Sequence, residues 1–388
     1  MCPTSDIVTL YGAPMSLYSG KVRAYLRKQG IAFNEVMPGH ASYGERIIPK
    51  TKRGIVPVVE LPTGPVIQDS VDIIDHFEQS NSAKFSVYPI TPKQRIAALM
   101  IDMFGSEGLL KVAMHYRWNF LEYNEAFITL EFGDHIVPGA SPETVREVAH
   151  KVMAPMQVYL PVLGVNESTI PAIEAQYLEL LALLNTHFEQ HPFLLGGLPS
   201  VADYGLFAPL YAHLSRDPYP SMIMKSKAQR VYRWVERMNA ENADLPEYPN
   251  YPQHYFLDDK IPDTLQAILT LIGKDFLPEV ACMVSEVNIW LANNNVEEGQ
   301  CVTDKPRIKS IKPMDYPFRG TTVTGMVIPY QLYMLQRISD FFSRCSTDEQ
   351  NDITQYYTAL NLQNFLALKP IRRVERPDLI EVWGKATN

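Results

Sequence analysis

Two short stretches near the start of the chain place side chains where they could bind or polarise an anionic group. Ser16, Tyr18 and Ser19 lead into KVRAYLRKQG, and Asp69-Ser70 leads into VDIIDHFE. The first amides of a helix have no partner within it, so a helix start attracts an anion. Ser or Asp at the junction also caps those amides. Each of these residues can therefore be read as a cap or turn residue, or as a donor to a ligand. Other candidate chemistry is sparse. His187 and His191 are four apart on a helix but have no evident third ligand, and they read as a surface pair. Cys2, Cys282, Cys301 and Cys345 show no CxxC or metal spacing, so no metal site is expected.

The elements that must hold these residues follow from local pattern. Residues 55–78 read as strand, turn at Thr63-Gly64, strand and helix. Val56, Val58 and Val59 are β-branched, Thr-Gly separates two apolar runs, and Val71, Ile74 and Phe77 recur at helical intervals. Upstream, 7–11 is a short apolar strand with Tyr11 in the core, broken by Gly12-Ala13-Pro14. Val22 and Leu26 share one face of the following helix, while Lys21, Arg27 and Lys28 lie largely elsewhere, and Gly30 stops it. Residues 31–36 resume an extended pattern. The order βαβ followed by ββα is thioredoxin-like, and 1–80 suffices to build it.

On these residues the chain resembles the glutathione transferase family. LYGAPMSLYSGKVRAYLRKQGI is similar to the first strand and helix of its serine-using theta and zeta classes. RGIVPVVE resembles the segment in which a cis proline exposes the preceding backbone to the cysteine of glutathione. QDSVDIIDHFE is similar to the acid-Ser pair that holds the γ-glutamyl end. The resemblance implies Ser16 as the hydroxyl that activates the thiol, with Tyr18 and Ser19 as alternatives. It implies backbone pairing at Val56, a cis Pro57, and Asp69 and Ser70 on the γ-glutamyl group. Relatives carry Lys or Gln before the Val-Pro to meet the glycine carboxylate. Here that position is Ile55, leaving Arg53, Lys50 or His40 as substitutes. A free cysteine thiol has a pKa of about 8.5, so the protein must favour the thiolate; a hydroxyl donor and a helix start both do so. With no cysteine at the activating position, conjugation, isomerisation or ether cleavage is expected rather than thiol exchange.

The resemblance continues from YPITPKQR, a linker, into a long helix over 92–123, where His115, Tyr116 and Arg117 either touch an acceptor or pack. The stretch 128–168 is an insertion holding an additional helix in PETVREVAHKVM. A helix over 172–189 leads to Ser200 and Asp203, spaced as a capping box, and 230–238 closes the domain. Beyond Leu245 the resemblance ends. Helical patterns over 261–293 and 329–344, a hairpin within 307–327 and at least one further helix make up an extension, whose apolar face of Leu332, Leu335, Ile338, Phe341 and Phe342 should pack on the helical domain.

The expected fold class is thus an α+β thioredoxin-like domain (1–80), an all-α transferase-type domain (90–240) and a mainly α extension (245–388). The net charge of −8, without a basic run, argues against nucleic acid. No secretory signal is evident, and charges interrupt the most apolar helix, 265–291, so no membrane span is expected. Scattered cysteines suit a reducing cytoplasm. The expected partners are glutathione, as co-substrate, and a hydrophobic electrophile, and the resemblance implies a homodimer. The competing expectation is a non-catalytic scaffold, favoured by Ile55 and the long extension.

Overall fold

The computed structural model describes residues 7–80, 82–303 and 310–387. Cys2 and the beginning of the stretch 307–327 lie outside them. The chain divides into two compact units, neither continuous in sequence. One takes the chain through Val87, with Ala113–Tyr159 and Asp203–Tyr251; the other takes Tyr88–Val112, Leu160–Ala202 and Pro252 onward.

The first unit contains the thioredoxin-like α+β domain. Strands β1 (Val8–Tyr11), β2 (Phe33–Val36), β3 (Val58–Glu60) and β4 (Val66–Gln68) form one sheet in the order β2-β1-β3-β4. β1 pairs parallel with β2 and antiparallel with β3, and β3 pairs antiparallel with β4. Helices α1 (Leu17–Lys28) and α3 (Ser70–Gln79) pack on each other, tied by the Tyr25 hydroxyl donating to Glu78 at 2.8 Å. Tyr11 and Val58 bury their side chains against Tyr43 and Ile47. These last two sit on a π-helical turn, Tyr43–Ile47, that runs into the short α2 (Ile48–Thr51).

The charged residues of α1 do not lie on an open face. Lys21, Arg23 and Lys28 are all buried. Periodicity assigns Lys21 and Lys28 outward, but the fold encloses both: Lys28 Nζ donates to the Asn242 carbonyl at 2.5 Å, and burial lowers its pKa to about 8.

The single helix expected over 92–123 is broken. It becomes α4 (Pro92–Met103), a π-helical turn (Phe104–Gly108), α5 (Leu110–Trp118) and the start of α6 (Leu121–Ile136). At the first break, a Cβ on Gly108 would lie 2.7 Å from the Phe104 ring and 3.0 Å from that of Phe276. At the second, Phe120 leaves the helical region (φ −128, ψ 45), and Asn124 Nδ2 donates to the carbonyls of Tyr116 and Arg117 at 2.8 and 3.0 Å. The first break falls at FGSEG, Phe104–Gly108, whose two glycines are a local helix-weakening signal. α6 packs on α7 (Pro142–Val158), the additional helix of the insertion. α8 (Ile170–His187), α9 (Val201–Ala212), α10 (Pro218–Lys227) and α11 (Gln229–Asn239) follow. Asp203 accepts from the Trp234 indole at 3.2 Å.

In the second unit the extension packs on transferase-type helices. α12 (Asp263–Asp275) lies against α8, and α14 (Pro329–Arg344) against α4. Leu332, Leu335 and Ile338 are buried in that contact face. The N-terminus of α4 is capped from the extension: Asp259 accepts from the amides of Lys93 and Gln94 at 2.8 and 2.9 Å. α13 (Leu277–Asn293) packs beneath the hairpin β5 (Pro313–Phe318) and β6 (Thr321–Met326). The chain continues through α15 (Thr347–Ala359), α16 (Asn364–Ala367) and a second hairpin, β7 (Arg372–Glu375) with β8 (Val382–Ala386). No helix among the described residues is long and apolar enough to cross a membrane.

Candidate functional site

Register places three loop segments at one end of the first sheet. Tyr11 pairs with Val58 and Val58 with Gln68, so these residues form a row at the C-terminal end of β1. From that row β1 runs through Gly12–Met15 to Ser16, β3 is entered from Val56-Pro57, and β4 exits to Asp69-Ser70. The Val56–Pro57 peptide is cis, and the Asp69 amide lies 3.5 Å from the Pro57 carbonyl. Val56 stands two residues outside the ladder, so its N–H and C=O are not consumed by the sheet.

Ser16 is the N-cap of α1: its Oγ accepts from the Ser19 amide at 3.3 Å. A capping hydroxyl uses a lone pair in this role and keeps its own hydrogen for another acceptor. The first turn of α1 has no acidic residue, so the positive end of the helix dipole is unopposed within the helix. Tyr18 is half-buried in the first turn. Ser19 is fully buried, with no hydrogen-bond partner for its hydroxyl among the described residues.

Asp69 is the N-cap of α3. It accepts from the Val71 amide at 2.8 Å and sits at φ 93, ψ 137, a region costly to any residue with a Cβ. Asp69 is half-buried, and Ser70 behind it is buried.

The substitutes for the residue expected at Ile55 are already engaged. Arg53 is buried, with Nε donating to Gln68 Oε1 at 2.8 Å, while Gln68 Nε2 donates to the Ile55 carbonyl at 2.9 Å. Gln68 thus staples the loop before Val56 to β4. Lys50 contacts Glu60 and the Gly64 carbonyl, at the hairpin end of the sheet and away from Val56. His40 is exposed, its Nδ1 2.8 Å from Ser42 Oγ.

Sequence reasoning did not find the charged groups that hold the loop carrying Ser16. Arg23 Nη2 donates to the Ala13 carbonyl at 3.2 Å, and its guanidinium is paired with Glu35. Burial opposes the Arg23 charge, but the bond and charge of Glu35 outweigh it and raise the pKa. Arg117 donates from Nη1 to the Met15 carbonyl at 3.3 Å. His115, Tyr116 and Arg117 are all buried. An arginine amid apolar helix residues was the one available signal, but its acceptors come from distant parts of the chain. His187 is also buried, bonded to Thr264 Oγ1 at 2.9 Å and the Phe193 carbonyl, with its pKa lowered to about 3 by burial and by His191. The surface-pair expectation is therefore corrected: the apolar helix face is closed by later segments of the chain.

Family models match in two places. Residues 10–85 match the glutathione S-transferase N-terminal domain and residues 167–237 the glutathione S-transferase C-terminal domain. Similar solved structures include a glutathione S-transferase from Rhodospirillum rubrum (12% identity, 67% of this chain and 98% of that one, TM-score 0.39). They also include the beta-etherase LigF from a Sphingobium species (19%, 61% and 96%, TM-score 0.42). A third is FzlA from C. crescentus (15%, 67% and 97%, TM-score 0.36). No curated protein matches the sequence.

Proposed function

From a chain that carries both the N- and C-terminal domains of the glutathione S-transferase family, we propose a transferase that directs the glutathione thiolate at a hydrophobic electrophile. The observation carrying this reading is the meeting of Ser16, Val56–cis-Pro57 and Asp69-Ser70 at one end of the sheet. In it, the backbone of Val56 pairs with the tripeptide, and Asp69 and Ser70 take its γ-glutamyl group. The Ser16 hydroxyl donates to the sulfur, with the start of α1 favouring the anion. Ser16 is preferred over Ser19, which is buried, and over Tyr18, which stands inside the first turn. Residues 1–80 form the glutathione domain of this reading, 90–240 the acceptor side and 245–388 a supporting extension. A cytoplasmic, homodimeric protein is the accompanying expectation.

Retention on immobilised glutathione, followed by Ser16→Ala with a generic aryl electrophile, tests the reading. Retention by the wild-type protein is expected, and the Ser16→Ala rate at neutral pH should fall about tenfold for each pKa unit the thiol regains. No retention and no rate would overturn it, and an unchanged Ser16→Ala rate would move the donor to Tyr18 or Ser19. The second reading, a non-catalytic scaffold, is favoured by one observation: Ile55 has no cation in its place, because Arg53 is tied to Gln68 and Lys50 lies at the far end of the sheet.

A further inference from the structure

Arg117 is almost wholly buried, and every one of its nitrogens is committed. Nε and Nη2 donate to the two carboxylate oxygens of Asp217 at 2.7 and 2.8 Å, Nη2 also to the Ala212 carbonyl at 3.0 Å, and Nη1 to the Met15 carbonyl at 3.3 Å. Asp217 is itself fully buried. Its backbone caps α10, yet its side chain makes no bond to that helix, because both oxygens face the guanidinium. A buried bidentate pair of this kind is costly to desolvate, so geometry is the better account of it than stability.

What the pair fixes is one peptide unit. The Met15 carbonyl and the Ser16 amide share a plane. The carbonyl is held by Arg117, and the amide donates to the Ala13 carbonyl at 3.2 Å. That carbonyl in turn accepts from Arg23 at 3.2 Å. Two arginines thus clamp the turn from opposite ends, and the plane from which the Ser16 side chain departs cannot rotate without breaking one of them.

We propose that Arg117, oriented by Asp217, is a positioning residue for the Ser16 hydroxyl, fixing the direction in which it meets a bound thiolate sulfur. The inference rests on the glutathione reading above. Its test is the ultraviolet thiolate titration of protein-bound glutathione in wild type, Ser16→Ala, Arg117→Met and the double variant, each first checked for a cooperative thermal transition. Arg117→Met should retain glutathione but raise the apparent thiol pKa by most of the Ser16→Ala effect. In the Ser16→Ala background it should add nothing, because the hydroxyl it orients is gone. A purely structural role would add equally in both backgrounds, and that result, or an Arg117→Met titration equal to wild type, overturns the proposal. Where Arg117→Met does not fold, Asp217→Asn and Arg117→Lys carry the same test: loss of charge at 217, or of the forked donor at 117, should shift the titration in the same direction, and an unshifted titration overturns the proposal. A Ser16→Ala shift with silent Arg117 and Asp217 variants fails this inference alone. A wild-type protein whose bound thiol titrates at its free value fails the glutathione reading as well.

Discussion

Gly39 sits where no side chain fits. A Cβ there would lie 2.3 Å from the Ile136 carbonyl oxygen and 2.7 Å from that of His135, and the Gly39 amide already donates to the His135 carbonyl at 3.2 Å. Both obstacles are backbone, so neither can swing away. Gly39→Ala should destabilise by about 1–3 kcal/mol, the usual range for overpacking, read as a lowered midpoint of chemical unfolding. Two buried histidines make a second prediction at this scale. Burial lowers His187 to about 3 and His135 to about 4, whereas both return to about 6.5 on unfolding. Below that value the unfolded chain binds more protons than the folded one, so stability falls as pH drops from 6.5 and levels off below the folded values. Each histidine contributes a slope of at most about 1.4 kcal/mol per pH unit. His187→Gln should flatten the acid limb of a stability-against-pH curve, and an unchanged limb would show that His187 does not titrate with unfolding.

At the scale of elements, caps supplied from distant sequence do much of the shaping. Asp259 closes the N-terminus of α4 with two amide bonds, and Asp259→Ala should cost about 1–2 kcal/mol. Ser346 heads α15 with a reciprocal box to Glu349; Ser346→Ala should cost about 1 kcal/mol, a local effect that leaves the rest untouched. Comparing the two by hydrogen exchange distinguishes a cap that joins segments from one that serves its own helix. The Ser346–Glu349 box is local in sequence. Asp259 is not, since its partners lie about 165 residues upstream. The same division runs through the candidate site. Ser16 and Asp69-Ser70 could be read as caps from local signals, and α14 and α11 from periodicity, while the site roles of Ser16, Val56 and Pro57 came from the family resemblance. The staple of Gln68 and the clamps of Arg23 and Arg117 could not be read at all. Each depends on an acceptor brought in by the tertiary fold, which periodicity does not encode.

At the scale of the whole molecule, the extension is part of a core. α4 and α8 bury apolar faces against α14 and α12, and the Tyr357 hydroxyl donates to the Lys93 carbonyl at 2.7 Å. A chain ending at residue 245 should therefore expose those faces, bind a hydrophobic dye and lose cooperative unfolding. Limited proteolysis that released a stable fragment of that length would contradict this.

The discontinuity of the second unit also has a temporal consequence. Ribosomes deliver residues 88–112 and 160–202 well before 252–387, and domains ordinarily close as they emerge. Here α4 and α8 must wait, with sticky flanks uncovered, until residues 252–387 are translated. Their contacts span long sequence separations, which slows closure further. The nascent chain therefore passes through an interval in which these apolar faces are exposed to aggregation.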